Sequence, residues 1–91
     1  PTGDRIETVY YYMGEVLIRL GEFHRADIAL STAVYHAPNR SSWWSRLGYA
    51  REQAEAYQIA FEAYEKALSL NPGLNEARRG RERVLGNLDR G

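Results

Sequence analysis

The stretch that decides the fold reads YYYMGEVLIRLGEFHRADIALSTAVYHAP over residues 10–38 and returns as WSRLGYAREQAEAYQIAFEAYEKALSLNP over residues 44–72. An offset of 34 aligns Tyr10 with Trp44, Met13 with Leu47, Gly14 with Gly48, Phe23 with Tyr57 and Ala26 with Ala60. The same offset pairs Ala29 with Ala63, Leu30 with Tyr64, Ala33 with Ala67, Val34 with Leu68 and Pro38 with Pro72. Matched size and character at so many places on one offset mark an internal duplication, which fixes the architecture before any local propensity does. The units run from Glu7 to Arg40 and from Ser41 to Leu74.

Each unit has helical spacing in both halves. Val9, Tyr10, Met13, Val16, Leu17 and Leu20 recur at three and four residues, as do Phe23, Ala26, Leu30, Ala33 and Val34. Gly21 stands where a left-handed C-terminal cap suits glycine, and Pro38 cannot continue the second helix. Asp4 with Glu7 reads as a capping pair, placing the first helix start near Arg5; Ser41 or Ser42 is expected to cap the third helix and Asn75 the fifth. Gly14, Ala26, Gly48 and Ala60 put minimal side chains where helices cross, with Tyr10, Leu30, Trp44 and Tyr64 filling the space beside them. The unit is therefore an antiparallel helix pair.

These residues resemble the tetratricopeptide repeat, whose pattern of aromatic, Leu-Gly, Ala, aromatic, Ala and Pro is matched by Tyr10, Met13-Gly14, Ala26, Leu30, Ala33 and Pro38. It is matched again by Trp44, Leu47-Gly48, Ala60, Tyr64, Ala67 and Pro72. The resemblance implies an all-α, right-handed α-α superhelix of two hairpins closed by a C-terminal helix over residues 75–89. Ala77, Arg81, Val84, Leu85 and Leu88 give that closing helix one usable stripe, and Gly80 and Gly86 weaken it by about 1 kcal/mol each relative to alanine, so its end is expected to fray.

The pattern departs at Glu55, which holds the place of Gly21. With no glycine or proline between Gly48 and Pro72, Ser42 to Leu70 can be read as one continuous helix that would pack on a second molecule. The ordinary turn is favoured, because packing within one chain avoids the entropy cost of association.

At 91 residues the chain is one small domain, 1–91, and two repeats are fewer than stacked arrays usually need for independent stability. The remaining burial is expected from the closing helix, from self-association through the exposed face of the first helix, or from upstream repeats. The sequence starts at Pro1 rather than Met, so it reads as a piece of a longer protein. Twelve basic residues balance twelve acidic ones, leaving no overall field toward nucleic acid or an anionic membrane. No cysteine is present and no apolar run approaches the ~20 residues that cross a bilayer, so a soluble, cytoplasmic chain without membrane insertion is expected.

Enzyme chemistry finds no support in the sequence. His24 and His36 are twelve residues apart and share no metal-ligand spacing, the serines lie in no nucleophile elbow, and no glycine-rich phosphate loop is present. No catalytic residue, metal or cofactor is expected. Arg78, Arg79, Arg81 and Arg83 cluster, but Glu76 and Glu82 dilute them, so a solvated closing helix is favoured over a nucleic-acid site.

The resemblance instead implies a concave groove lined by the first helix of each pair, receiving a protein or peptide partner. It would present Thr8, Tyr11, Tyr12, Glu15, Ile18 and Arg19 from the first unit. From the second would come Ser42, Ser45, Arg46, Tyr49, Glu52 and Gln53, and from the closing helix Arg79 and Arg83. Tyr and Arg dominate many interfaces, which makes Tyr11, Tyr12, Arg46 and Tyr49 the expected anchors. A Lys/Asn carboxylate clamp, found in one subset of the family, is not supported, because the matching places hold Tyr11, Glu15, Arg46 and Tyr49. Trp44 should be core, and Trp43 either fills a gap between repeats or protrudes.

Overall fold

The chain reverses at Gly21 and again at Glu55, and the two reversals are built alike. The computed structural model describes residues 5–90. Five helices follow in order: α1 (Ile6–Arg19), α2 (Phe23–His36), α3 (Ser41–Gln53), α4 (Tyr57–Leu70) and α5 (Asn75–Arg90). No strand occurs among the described residues. After α1, Gly21 takes φ 77°, its N–H donates to the Ile18 carbonyl at 3.0 Å, and the Glu22 N–H donates to Leu17 at 2.9 Å. After α3, Glu55 takes φ 63°, its N–H donates to Glu52 at 2.9 Å, and the Ala56 N–H donates to Arg51 at 2.9 Å. Both are Schellman closures, which satisfy carbonyls that the helix end leaves open. The second lets α4 fold back onto α3 in the same chain, so the continuous helix from Ser42 to Leu70 does not form.

The expected serine and asparagine caps are not used. Arg40 is the N-cap of α3 without a side-chain bond, and Ser41 is already its first helical residue. The Leu74 carbonyl accepts from the N–H groups of Ala77 and Arg78, placing Asn75 inside α5. The turn before α5 sets that start, since Asn71 accepts from the Gly73 N–H through its side chain at 3.1 Å and from Leu74 through its carbonyl at 3.1 Å. Asp4 of the expected Asp4/Glu7 pair lies outside the described residues.

Small-against-large packing runs through the stack. A Cβ on Gly14 would meet Leu30, and one on Gly48 would meet the Tyr64 ring. Gly80 touches the same ring from α5, so the glycine read as a weakness is what admits the closing helix. Gly86, with open space around its Cβ direction, has no such compensation. The buried stripe of α5 is Ala77, Gly80 and Val84, with Leu88 half-buried, while Leu85 faces outward; α5 is helical to Arg90.

Two apolar clusters result. One joins α1, α2 and α3 through Leu17, Leu30, Val34, Trp43 and Leu47; the other joins α4 and α5 through Tyr64, Ala67, Ala77 and Val84. Half-buried Trp44 packs against both, its indole N–H donating to the Pro38 carbonyl at 2.8 Å. Trp43 fills the gap between hairpins, stacked on Tyr11 at 4.7 Å and 9°. The apolar stripe of α1 is only partly inside: Leu17 is buried and Tyr10 half-buried, whereas Val9, Met13, Val16 and Leu20 are exposed because no described element covers that side.

Candidate functional site

The first helix of each pair comes to one side of the stack, with α3 touching both α1 and α5. Three polar bridges tie these helices together. Arg46 donates to both carboxylate oxygens of Glu15, at 2.8 and 3.2 Å. Ser45 donates to Glu76 at 3.0 Å. Arg83 donates to both oxygens of Glu52, at 2.8 and 3.0 Å, and the Tyr64 hydroxyl donates to Glu52 at 2.7 Å. Each bridge between first helices spans 31 residues, the 34-residue period less one helical turn.

Charge and burial reinforce these contacts. Burial works against the charged Arg46 guanidinium, but the Glu15 bond and its charge outweigh this and hold the pKa above the usual value. The Glu52 hydrogen bond raises that of Arg83, against partial burial. Tyr64 is pushed well above the usual phenol range, first by burial and then by its bond to Glu52. Burial also raises Tyr11, with the Glu15 carboxylate beside it adding to the effect.

Two hollows flank the Glu15–Arg46 bridge. One, of about 360 Å³, is lined by Tyr12, Glu15, Val16 and Arg19. The other, of about 140 Å³, gathers Ser45, Arg46, Tyr49, Tyr64, Glu76, Arg79 and Arg83. The Arg46 guanidinium lies 4.9 Å from the Tyr49 ring centre, and Tyr12 is 62% exposed beside Tyr11. Among the described residues, Arg19 and Arg79 have no ion-pair partner, unlike Arg46 and Arg83.

The expected groove residues thus divide. Tyr12, Glu15 and Arg19 share one hollow and Ser45, Arg46, Tyr49, Arg79 and Arg83 the other; Thr8, Ser42 and Gln53 line neither. Tyr11 is held against Trp43, Ile18 packs on the core, and Glu52 is buried in its bridge. The sequence reading missed the parts played by Tyr64, taken for a core filler, and by Glu76. Opposite charges and polar partners at an offset of 31 are the signal that points to them. His24 and His36 are exposed at opposite ends of α2, and no group of potential metal ligands occurs among the described residues. No described helix is long and apolar enough to cross a membrane.

Comparison with known proteins matches the second hairpin to a family model and the whole fold to solved structures. The family model described as "Tetratricopeptide repeat" matches residues 41–74. The chain is similar to the Arabidopsis OM64 TPR domain, with a TM-score of 0.83 and 23% identity over 89% of this chain and 67% of that one. It is similar to the Sgt2 TPR domain from Aspergillus fumigatus, with a TM-score of 0.84 and 29% identity over 93% of this chain and 60% of that one. For MamA the TM-score is 0.72 at 22% identity, over 92% of this chain and 59% of that one. No curated protein matches the chain significantly. Domains of this fold serve in general as non-catalytic protein-interaction modules.

Proposed function

Since residues 41–74 carry the tetratricopeptide repeat and the whole fold is that of such domains, we propose that this chain holds a segment of a partner protein along α1, α3 and α5. The observation that carries this reading is the hollow over Ser45, Arg46, Tyr49, Glu76, Arg79 and Arg83. Its floor is fixed by the Glu52–Arg83 and Ser45–Glu76 bridges, while Arg79 is left with a guanidinium to offer. Arg46 and Arg83 already hold carboxylates, and Arg46 also lies over the Tyr49 ring, so they present partly neutralised surface rather than bare charge. Tyr12, Tyr49 and Arg79 are then the contact residues with least structural duty.

The test follows from that distinction. Short peptides displayed on phage are selected on the wild-type protein, and the selected peptides are titrated against it and against the triple variant Tyr12→Ala, Tyr49→Ala, Arg79→Ala. Binding should weaken at least tenfold, about 1.4 kcal/mol, with helicity and melting preserved. Selection of no peptide, or equal binding by the variant, defeats the proposal. A second reading, a structural module that self-associates or docks within a larger assembly, is favoured by the exposed apolar face of α1.

A further inference from the structure

Along α1, Ile6, Val9, Met13, Val16 and Leu20 recur at intervals of three and four and all are exposed. Adding the 34-residue period to the middle three gives Trp43, Leu47 and Ala50. Val9, Met13 and Val16 are 59, 46 and 55% exposed, whereas Trp43, Leu47 and Ala50 are 6, 1 and 0% exposed. The difference lies in the neighbour, since α3 is packed against α2, whereas among the described residues α1 has no helix on the corresponding side.

The cavities repeat the comparison. A hollow of about 180 Å³ is lined by Tyr10, Met13, Leu17, Arg25, Ile28 and Ala29. In the second hairpin, Trp44, Leu47 and Arg51, the counterparts of Tyr10, Met13 and Leu17, line a hollow of about 360 Å³. There the facing wall consists of Ser31, Val34, Tyr35 and Pro38, from α2 and the chain leaving it. The two hollows share the first-helix positions, but the one beside α1 is closed only by its own α2, through Arg25, Ile28 and Ala29, with no residue of a preceding hairpin facing it among the described residues.

We infer that this face of α1 receives the second helix of another hairpin of the same repeat type, placed before α1 in the same polypeptide. That helix presents small and apolar residues to Tyr10 and Met13, as Val34 of α2 and Pro38 just after it do to Trp44 and Leu47. It also differs from α2 in one respect. Arg51 donates to Asp27 and Ser31 of α2, but its counterpart is Leu17, so the incoming helix carries an uncharged residue where α2 has Asp27. A carboxylate there would be desolvated against leucine without a partner. A second copy of this chain fits less well: the outward side of α5 brings Arg78, Glu82 and Asp89, and a second α1 does not supply the missing wall. Stacked repeats bury a continuous core only by covering such faces in turn.

The test begins with the 91-residue protein, by sedimentation velocity across a concentration range and by melting of Val16→Glu. A monomer is expected, with melting changed little by a substitution at an exposed site. Next, a copy of residues 7–40 carrying Asp27→Ala, so that no carboxylate faces Leu17, is placed directly before Glu7, in register. The melting temperature should rise by at least ~4 °C, the α1 amides that follow the copy should exchange more slowly, and Val16→Glu in that α1 should cancel both gains. A dimer dispersed by Val16→Glu would assign the face to a second copy and overturn the inference. So would strong destabilisation of the 91-residue protein by Val16→Glu, no gain from the added hairpin, or a gain that survives the substitution.

Discussion

In the first hairpin Gly14 lies under Leu30, and that contact serves the seam between α1 and α2. In the second, Gly48 lies under Tyr64, and the same ring also receives Gly80 from α5 while its hydroxyl reaches Glu52. One position of a shared plan therefore holds an apolar filler in one copy and, in the other, a ring that also receives a glycine of the next helix and binds a buried carboxylate. The second hairpin is enclosed on both sides and the first on one. Equivalent places in a repeat array carry unequal energies because their neighbours differ, even where the residues play the same local part.

The largest expected effect breaks that junction. Tyr64→Ala removes a fully buried ring and the hydroxyl bond, a loss of about 3 to 5 kcal/mol that approaches the whole stability of a small domain. Leu30→Ala should cost less, nearer about 2 to 3 kcal/mol, since leucine is smaller and breaks no side-chain hydrogen bond when removed. Urea midpoints of the two variants measure the difference. Equal midpoints would mean that the closing helix adds nothing to the anchorage of Tyr64.

The next comparison sets the two bidentate bridges against each other. The Glu52 side chain is 9% exposed and accepts from Arg83 and Tyr64, whereas Glu15 and Arg46 are 26 and 29% exposed. Glu52→Gln keeps the shape but loses the charge that both donors face, and should cost about 1 to 3 kcal/mol, tempered because Arg83 is half exposed. Glu15→Gln should cost less than about 1 kcal/mol, and less again in high salt. Melting curves of both variants at low and high salt test the ranking. A larger loss at Glu15 would place the main polar tie between the hairpins rather than at the closing helix.

How far the sequence reveals this arrangement depends on what each residue reports. Glycine, alanine and proline at matched places report local geometry, so the hairpins, the reversal at Gly21 and the stops at Pro38 and Pro72 were legible. The bridges were not, because aligning repeats by their period pairs Glu15 with Tyr49, whereas the helices are staggered by a turn and Glu15 meets Arg46. Spacing also identifies an apolar stripe without saying what lies beside it, and so which of Val9, Met13, Val16, Leu17 and Leu20 are covered was not legible. Trp43 had two readings until the stacked Tyr11 ring decided between them. For the proposed groove, the period could not separate Arg79, which has no ion-pair partner among the described residues, from Arg46 and Arg83, which do.

The smallest effect sharpens the contrast between the two reversals. Both make the same hydrogen bonds with a residue in the left-handed region, but one is Gly21 and the other Glu55. For an L-residue that conformation costs roughly 1 to 2 kcal/mol, whereas glycine adopts it freely at a cost of about 0.5 to 1 kcal/mol in unfolded-state entropy. Glu55→Gly therefore exchanges a larger penalty for a smaller one and should stabilise the protein by up to about 1 kcal/mol, a few degrees in melting temperature. Gly21→Ala should act in the opposite direction and by a similar amount. Its Cβ meets open space, so backbone conformation alone would be responsible. Opposite signs in parallel thermal melts would establish that the turn at Glu55 is held by the helices it joins, against the preference of its own residue. Destabilisation by Glu55→Gly would show instead that the glutamate side chain stabilises the turn by more than its backbone strain costs.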